Sequence, residues 1–263
     1  MYSLRLKCTA DEVDLISGEL WEAGTAGIRE IDDSGGTVLI AGFESNEPQI
    51  ALMERFAGHD PQWTQEDSTD WVEETHRTWP ARLIGQQIFL APPWCEDATP
   101  TGRVRIIHNP GLACGTGEHP CTRLAMEALE ILDLKRTTVV DIGTGSGLLA
   151  IAALRLGARF GVGIDTDEAA LSAARENFEL NGLLVLLIAG SADCLSDGCA
   201  DVLVANISAT VLLSIADELL RISKNRLILT GFTLDELPAM EANFGEGAVT
   251  SCDEWRCLSV TLS

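Results

Sequence analysis

Residues 137–157, TTVVDIGTGSGLLAIAALRLG, constrain this chain more than any other stretch: a β-branched run meets three alternate glycines and then a continuous apolar helical pattern. That order reads as strand, tight loop and helix. Thr138, Val139, Val140 and Ile142 suit a strand buried on both faces, while Leu148, Ile151, Ala152 and Leu156 recur at helical spacing before Gly157 ends the run. Gly143, Gly145 and Gly147 therefore fall at the carboxyl end of a central strand. A backbone without side chains turns sharply there and lets a ligand lie against it.

A second strand pattern, Phe160 to Ile164, ends in Asp165, 22 positions after Gly143. An acidic group at the tip of a neighbouring parallel strand is placed to accept both hydroxyls of a ribose, although a helix-capping role would use the same residue type. The dinucleotide fingerprint G-x-G-x-x-G is not present, because Leu148 follows Gly147. The D-x-G-x-G-x-G arrangement instead resembles the S-adenosylmethionine loop of class I methyltransferases.

The remaining patterns arrange themselves around that unit. Tyr2–Cys8, 26–31, 37–43 and 61–66 read as strands, with helices over 13–23 and 48–57. The order β-α-β-β-α-β predicts a small α+β, ferredoxin-like domain over residues 1–66. Residues 67–79, acidic and carrying Trp71 and Trp79, read as a linker. From residue 80 to 263, strands at 87–92, 103–108, 138–142, 160–164, 183–188, 201–205 and 225–230 alternate with helices, including 209–220 and 234–244. Residues around Val249 and 255–262 close as an antiparallel pair. This alternation predicts an α/β, Rossmann-like sheet with ligands at its carboxyl edge.

The formal charge is −22, and residues 1–79 carry 5 basic against 17 acidic side chains. Such a surface repels phosphate backbones and attracts cationic partners, and no basic stripe interleaved with aromatics argues for nucleic acid. The eight cysteines contain no C-x-x-C spacing, so neither a metal site nor a disulfide framework is expected. No apolar run approaches a membrane span and no leader pattern opens the chain, which predicts a cytoplasmic protein that does not bind membranes.

Four stretches carry a closer resemblance. They are Asn109-Pro-Gly-Leu-Ala-Cys-Gly-Thr-Gly-Glu-His-Pro-Cys-Thr122, Asp141-Ile-Gly-Thr-Gly-Ser-Gly-Leu-Leu-Ala-Ile-Ala-Ala153, Gly163-Ile-Asp165 and Val204-Ala-Asn-Ile207. With them the chain resembles the ribosomal protein L11 methyltransferases, class I enzymes that use S-adenosylmethionine. The resemblance implies cofactor contacts at Thr122, Gly143, Gly145, Asp165 and Asn206, and recognition of a basic ribosomal protein by the N-terminal domain. A monomer is expected. Cys114, Glu118 and Cys121 depart from the family's common Phe, Thr and Thr.

Methyl transfer from a sulfonium needs a neutral amine held in line more than it needs a strong base. Asn206 is the candidate to accept a hydrogen bond from that amine, His119 a candidate base, Asp141 a brace for the glycine loop and Asp193 a weak candidate for the adenine edge. A methyltransferase acting on RNA or a small molecule would keep the same cofactor residues. A non-catalytic S-adenosylmethionine-binding protein would keep them as well.

Overall fold

The computed structural model describes residues 2–9, 12–25, 27–33, 36–65, 79–109 and 119–262. The chain divides into two compact units, Met1–Thr78 and Trp79–Ser263. Of the expected linker, residues 67–78 lie outside the described residues, as do residues 110–118 with Cys114 and Glu118.

In the first unit, β1 (Tyr2–Cys8), α1 (Val13–Glu22), β2 (Gly27–Asp33), β3 (Gly36–Phe43), α2 (Gln49–Arg55) and β4 (Gln62–Gln65) follow one another. The antiparallel sheet has the order β2-β3-β1-β4, the split arrangement of a ferredoxin-like fold. Alternation decides its core: Leu4 and Leu6 of β1 and Leu39, Ala41 and Phe43 of β3 point to one face, where Ile16, Leu20, Leu52 and Phe56 of the helices bury them. Trp63 stacks on Phe43 with ring centroids 5.2 Å apart and donates its indole N–H to Asn46 Oδ1 at 2.7 Å.

The second unit opens with a three-stranded sheet of β5 (Arg82–Ile84), β6 (Ile88–Ala91) and β7 (Val104–Ile107). Strand β5 was not anticipated from the sequence. The Arg103 guanidinium closes its hairpin by donating to the carbonyls of Ile84, Gly85 and Ile88, and the Glu130 carboxylate accepts the N–H groups of Gln86 and Gln87.

The elements that follow are α3 (Pro120–Glu130), β8 (Thr138–Ile142), α4 (Leu148–Arg155), β9 (Phe160–Asp165), α5 (Glu168–Leu180), β10 (Leu186–Ala189), β11 (Ala200–Asn206), α6 (Ala209–Ser214), α7 (Ala216–Ile222), β12 (Ser223–Thr233), α8 (Leu237–Phe244), β13 (Ala248–Cys252) and β14 (Trp255–Thr261). They build a seven-stranded sheet in the order β10-β9-β8-β11-β12-β14-β13, parallel from β10 to β12 and antiparallel beyond. Central strand β8 is sandwiched as its β-branched composition requires. Val139 enters the core shared with α3, α4 and α5, and Val140 and Ile142 enter the core shared with α6, α7 and α8.

Two expectations are corrected in detail. The helix expected over 209–220 breaks at Ile215 (φ −117), where the Ser214 hydroxyl donates back to the Val211 carbonyl and competes with helix continuation. Strand β12 runs past Thr230 to Thr233 through an irregularity at Gly231 (φ +99), whose hydrogen sits against the Ile207 carbonyl where a Cβ would collide.

Candidate active site

All three glycines of the loop after β8 adopt positive φ, +69 at Gly143, +52 at Gly145 and +81 at Gly147. Two also lack room for a side chain. A Cβ on Gly143 would strike Ile207, and one on Gly147 would lie 2.9 Å from the buried Phe178 ring of α5. The alternate spacing thus serves both turn geometry and close packing of β11 and α5 against the loop.

Polar side chains truss the loop from three sides. Asp141 Oδ2 accepts the Thr144 hydroxyl at 2.8 Å and the Ala150 N–H at 3.1 Å, as a brace would. Burial pushes the Asp141 carboxyl up to about 7, against the opposing pull of the Thr144 and Ala150 hydrogen bonds, with the Asp165 charge adding to the rise. Asp165 Oδ2 accepts the Gly145 N–H at 2.8 Å and its Oδ1 the Asp167 N–H at 3.0 Å. Each oxygen keeps a further lone pair, and Asp165 lines the cavity above the loop. On the third side, Asn177 Nδ2 donates to the Ser146 carbonyl at 3.0 Å.

Asn177 and its neighbour one turn on, Asn181, were missed in the sequence. Asn177 Oδ1 accepts the Asn109 N–H at 2.8 Å, and Asn181 pairs with both the N–H and the carbonyl of Ile107. These two buried amides pin the chain at Ile107 and Asn109. Their signal is two asparagines four apart on the face that also carries Ala174 and Phe178.

Opposite the glycine loop, Asn206 stands at the tip of β11 and donates Nδ2–H to Thr122 Oγ1 at 3.1 Å, which leaves its Oδ1 as an acceptor. Thr122 is in the first turn of α3. His119 caps that helix: its Nδ1 accepts the Cys121 N–H at 3.3 Å, so the ring proton resides on Nε2, and the ring meets Trp255 edge-on at 4.7 Å. Cys121 is buried beneath the first turn, its thiol raised by that burial.

Thr122, Gly143, Gly145, Asp165, Asn206 and His119 all line one cavity of about 1230 Å³ at the carboxyl edge of the sheet. Asp193 lies in the 3-10 turn Ala192–Cys194, just past the lining residues Gly190 and Ser191, and is not among the lining. The described lining carries Asp165, Asp167 and Glu176 and neither lysine nor arginine. A glycine floor, an edge carboxylate with free lone pairs and an anionic wall fit S-adenosylmethionine, which carries ribose hydroxyls and a positive sulfonium.

A parallel sheet with this glycine loop, and an acidic tip on the next strand, belongs to a class I S-adenosylmethionine-dependent methyltransferase. The family model described as ribosomal protein L11 methyltransferase (PrmA) matches residues 41–262. The chain belongs to that family. It is 35% identical to the ribosomal protein L11 methyltransferase of Mannheimia succiniciproducens over 96% of both chains, and 36% identical to that of Geobacter sulfurreducens over 88% of this chain and 83% of that protein. Among solved structures it is similar to a ribosomal protein L11 methylase from Lactobacillus delbrueckii subsp. bulgaricus, with 32% identity, a TM-score of 0.62 and coverage of 69% of this chain and 96% of that one. Among the described residues no helix is long and apolar enough to cross a membrane.

Proposed function

We propose that this protein transfers methyl groups from S-adenosylmethionine to amino nitrogens, lysine side chains or an N-terminal amine, of ribosomal protein L11 in the cytoplasm. The observation that carries this reading is the cavity wall, which sets three carboxylates and no cation among its described residues. Such a wall favours a positive donor and a positive substrate and disfavours a phosphate backbone, which makes RNA the poorer substrate.

In this reading Thr122, Gly143, Gly145, Asp165 and Asn206 hold the cofactor, Asp165 through the ribose hydroxyls. When bound, S-adenosylmethionine supplies an electrophilic methyl group on sulfur. The protein's own work is to admit the amine, favour its neutral form and aim its lone pair. A free lysine titrates near ~10.4; partial desolvation inside the cavity and the positive sulfonium of a bound donor lower that value, against the opposing pull of the wall's carboxylates. Asn206 Oδ1, oriented by the bond of its Nδ2 to Thr122, accepts an N–H of the entering amine. His119, with Nδ1 engaged by the Cys121 N–H, acts as the cap of α3 and not as a base.

Residues 1–66 are the substrate-recognition domain in the same reading. The excess of 17 acidic over 5 basic side chains in residues 1–79 draws in a lysine-rich protein. This attraction is screened over about 8 Å at physiological salt, so it speeds encounter more than it tightens the complex.

The test is incubation of the full chain with radiolabelled S-adenosylmethionine and, separately, purified ribosomal protein L11 or ribosomal RNA. Label on the protein and none on the RNA supports the reading. Label on the RNA alone contradicts it.

A further inference from the structure

Alternation along the strands sorts the charges of the first unit between its two sides. Leu4 and Leu6 point into the helix layer, so Arg5 and Lys7 point away from it. Arg29 pairs with Ile40, which pairs with Arg5, and so points away as well. Glu30 pairs with Leu39 and shares the helix side. In α1, α2 and the loop before α2 there is one arginine and no lysine: Arg55, whose Nε is held by Glu19 Oε2 at 2.8 Å. Glu44, Glu47 and Glu54 are exposed there. The helix side is therefore anionic, and the cations of β1 and β2 stand on the opposite side.

The anionic side also carries exposed apolar groups, gathered at one end. Helix α1 ends shortly before Gly27, which pairs with Gly42, and α2 begins shortly after Phe43, which pairs with Tyr2. The last turn of α1 and the first turn of α2 thus stand at the same end of the helix layer. Trp21 in the one and Ile50 in the other are 54% and 75% exposed. At this end Trp63 stacks on Tyr2 and Phe43, with centroids 6.1 and 5.2 Å apart. Its indole bond to Asn46 fixes the loop that carries Glu44 and Glu47. Glu54 follows Ile50 by one turn on the same face of α2.

We propose that this end of the first unit is the surface on which the ribosomal protein substrate docks, with Trp21 and Ile50 as its apolar contacts and Glu44, Glu47 and Glu54 as its rim. This rests on the methyl-transfer reading above and adds to it the side chains that select the substrate. An exposed tryptophan beside an aliphatic group, bordered by polar side chains, is where protein interfaces concentrate their affinity. The sign of the rim then chooses the partner. A lysine-rich protein brings opposite charge to these carboxylates. A second copy of this chain would set the same carboxylates against each other across a two-fold axis, and RNA would bring phosphates to them.

Steady-state methylation of purified ribosomal protein L11 by the full chain and by Trp21→Ser/Ile50→Ser tests it. Both side chains are exposed and neither lines the cofactor cavity. The double variant is therefore expected to keep its melting curve, its Kd for S-adenosylmethionine and its kcat, and to raise KM for the protein about tenfold or more. Glu44→Gln/Glu47→Gln, in the loop outside the helices, is expected to lower kcat/KM about threefold at low salt and to match the wild type at high salt. A wild type that methylates the ribosomal protein, with KM unchanged in the first variant and kcat/KM unchanged in the second, overturns this surface and leaves the methyl-transfer reading standing. A wild type that leaves the ribosomal protein unlabelled overturns both.

Discussion

The Asp165 carboxylate accepts the Gly145 N–H at 2.8 Å, so the acidic tip of β9 also fixes the middle of the glycine loop that follows β8. One side chain joins two walls of the cavity. On the proposed reading its removal acts twice, on the ribose contact and on the loop. Asp165→Ala is expected to weaken S-adenosylmethionine binding by about 2–4 kcal/mol, roughly 30- to 1000-fold in Kd, in a protein that still unfolds cooperatively. Isothermal calorimetry reads this directly, and an unchanged Kd would remove Asp165 from the site.

Asn206 is oriented by Thr122, and the two should behave as a unit. Thr122→Val keeps the buried volume of the side chain and removes the acceptor for Asn206 Nδ2. It is expected to lower kcat by about 5- to 10-fold, the value of one hydrogen bond. Added to Asn206→Ala it should cost little more, because the interaction is already gone. Fully additive losses in steady-state kinetics would show that the two residues act separately.

Stability carries the mark of Asp141. Its folded carboxyl titrates at about 7 against an ordinary 3.8, because burial disfavours the charged form. The native state thus holds this proton more tightly than the unfolded chain. Its contribution is full below about pH 4, falls as the pH rises to about 7, and is level above that. Asp141→Asn keeps an oxygen for Thr144 and Ala150 and never ionises. Urea titrations at pH 5 and pH 8 should show the wild type losing more stability than the variant between those values, by about 2–3 kcal/mol. Equal losses in both proteins would contradict the assignment.

Both cores of the second unit are built from residues after 83, so that unit has the packing to fold by itself. The chain shortened to residues 79–263 is expected to bind S-adenosylmethionine as the whole protein does and to lose methylation of ribosomal protein L11. If the shortened chain methylated that protein at the full rate, the first unit would have no recognition role.

The central unit was legible because its signals are local: a β-branched run, glycines at alternate positions and a helical apolar stripe define strand, loop and helix without any distant partner. The place of Asp165 at the tip of β9, beside the glycine loop, was legible from the strand pattern that it ends. Part of what escaped depends on contacts far apart in sequence, and part on local side-chain bonds that a residue pattern does not display. The hairpin strand β5 is three residues long and is closed by Arg103 and Glu130 from elsewhere in the fold. Asn177 and Asn181 find their partners near residue 108, and the break at Ile215 turns on the Ser214 hydroxyl. The role of His119 needed the bond from the Cys121 N–H, which a sequence pattern does not display.

The most direct test of the account is intact-mass spectrometry of ribosomal protein L11 after incubation with S-adenosylmethionine and either the wild-type chain, Asp165→Ala or Asn206→Ala, at limiting cofactor. The wild type should add whole methyl increments that map to amino nitrogens, and both variants should slow their appearance by at least about tenfold. Unmodified ribosomal protein with the wild type, or equal methylation by all three proteins, would contradict it.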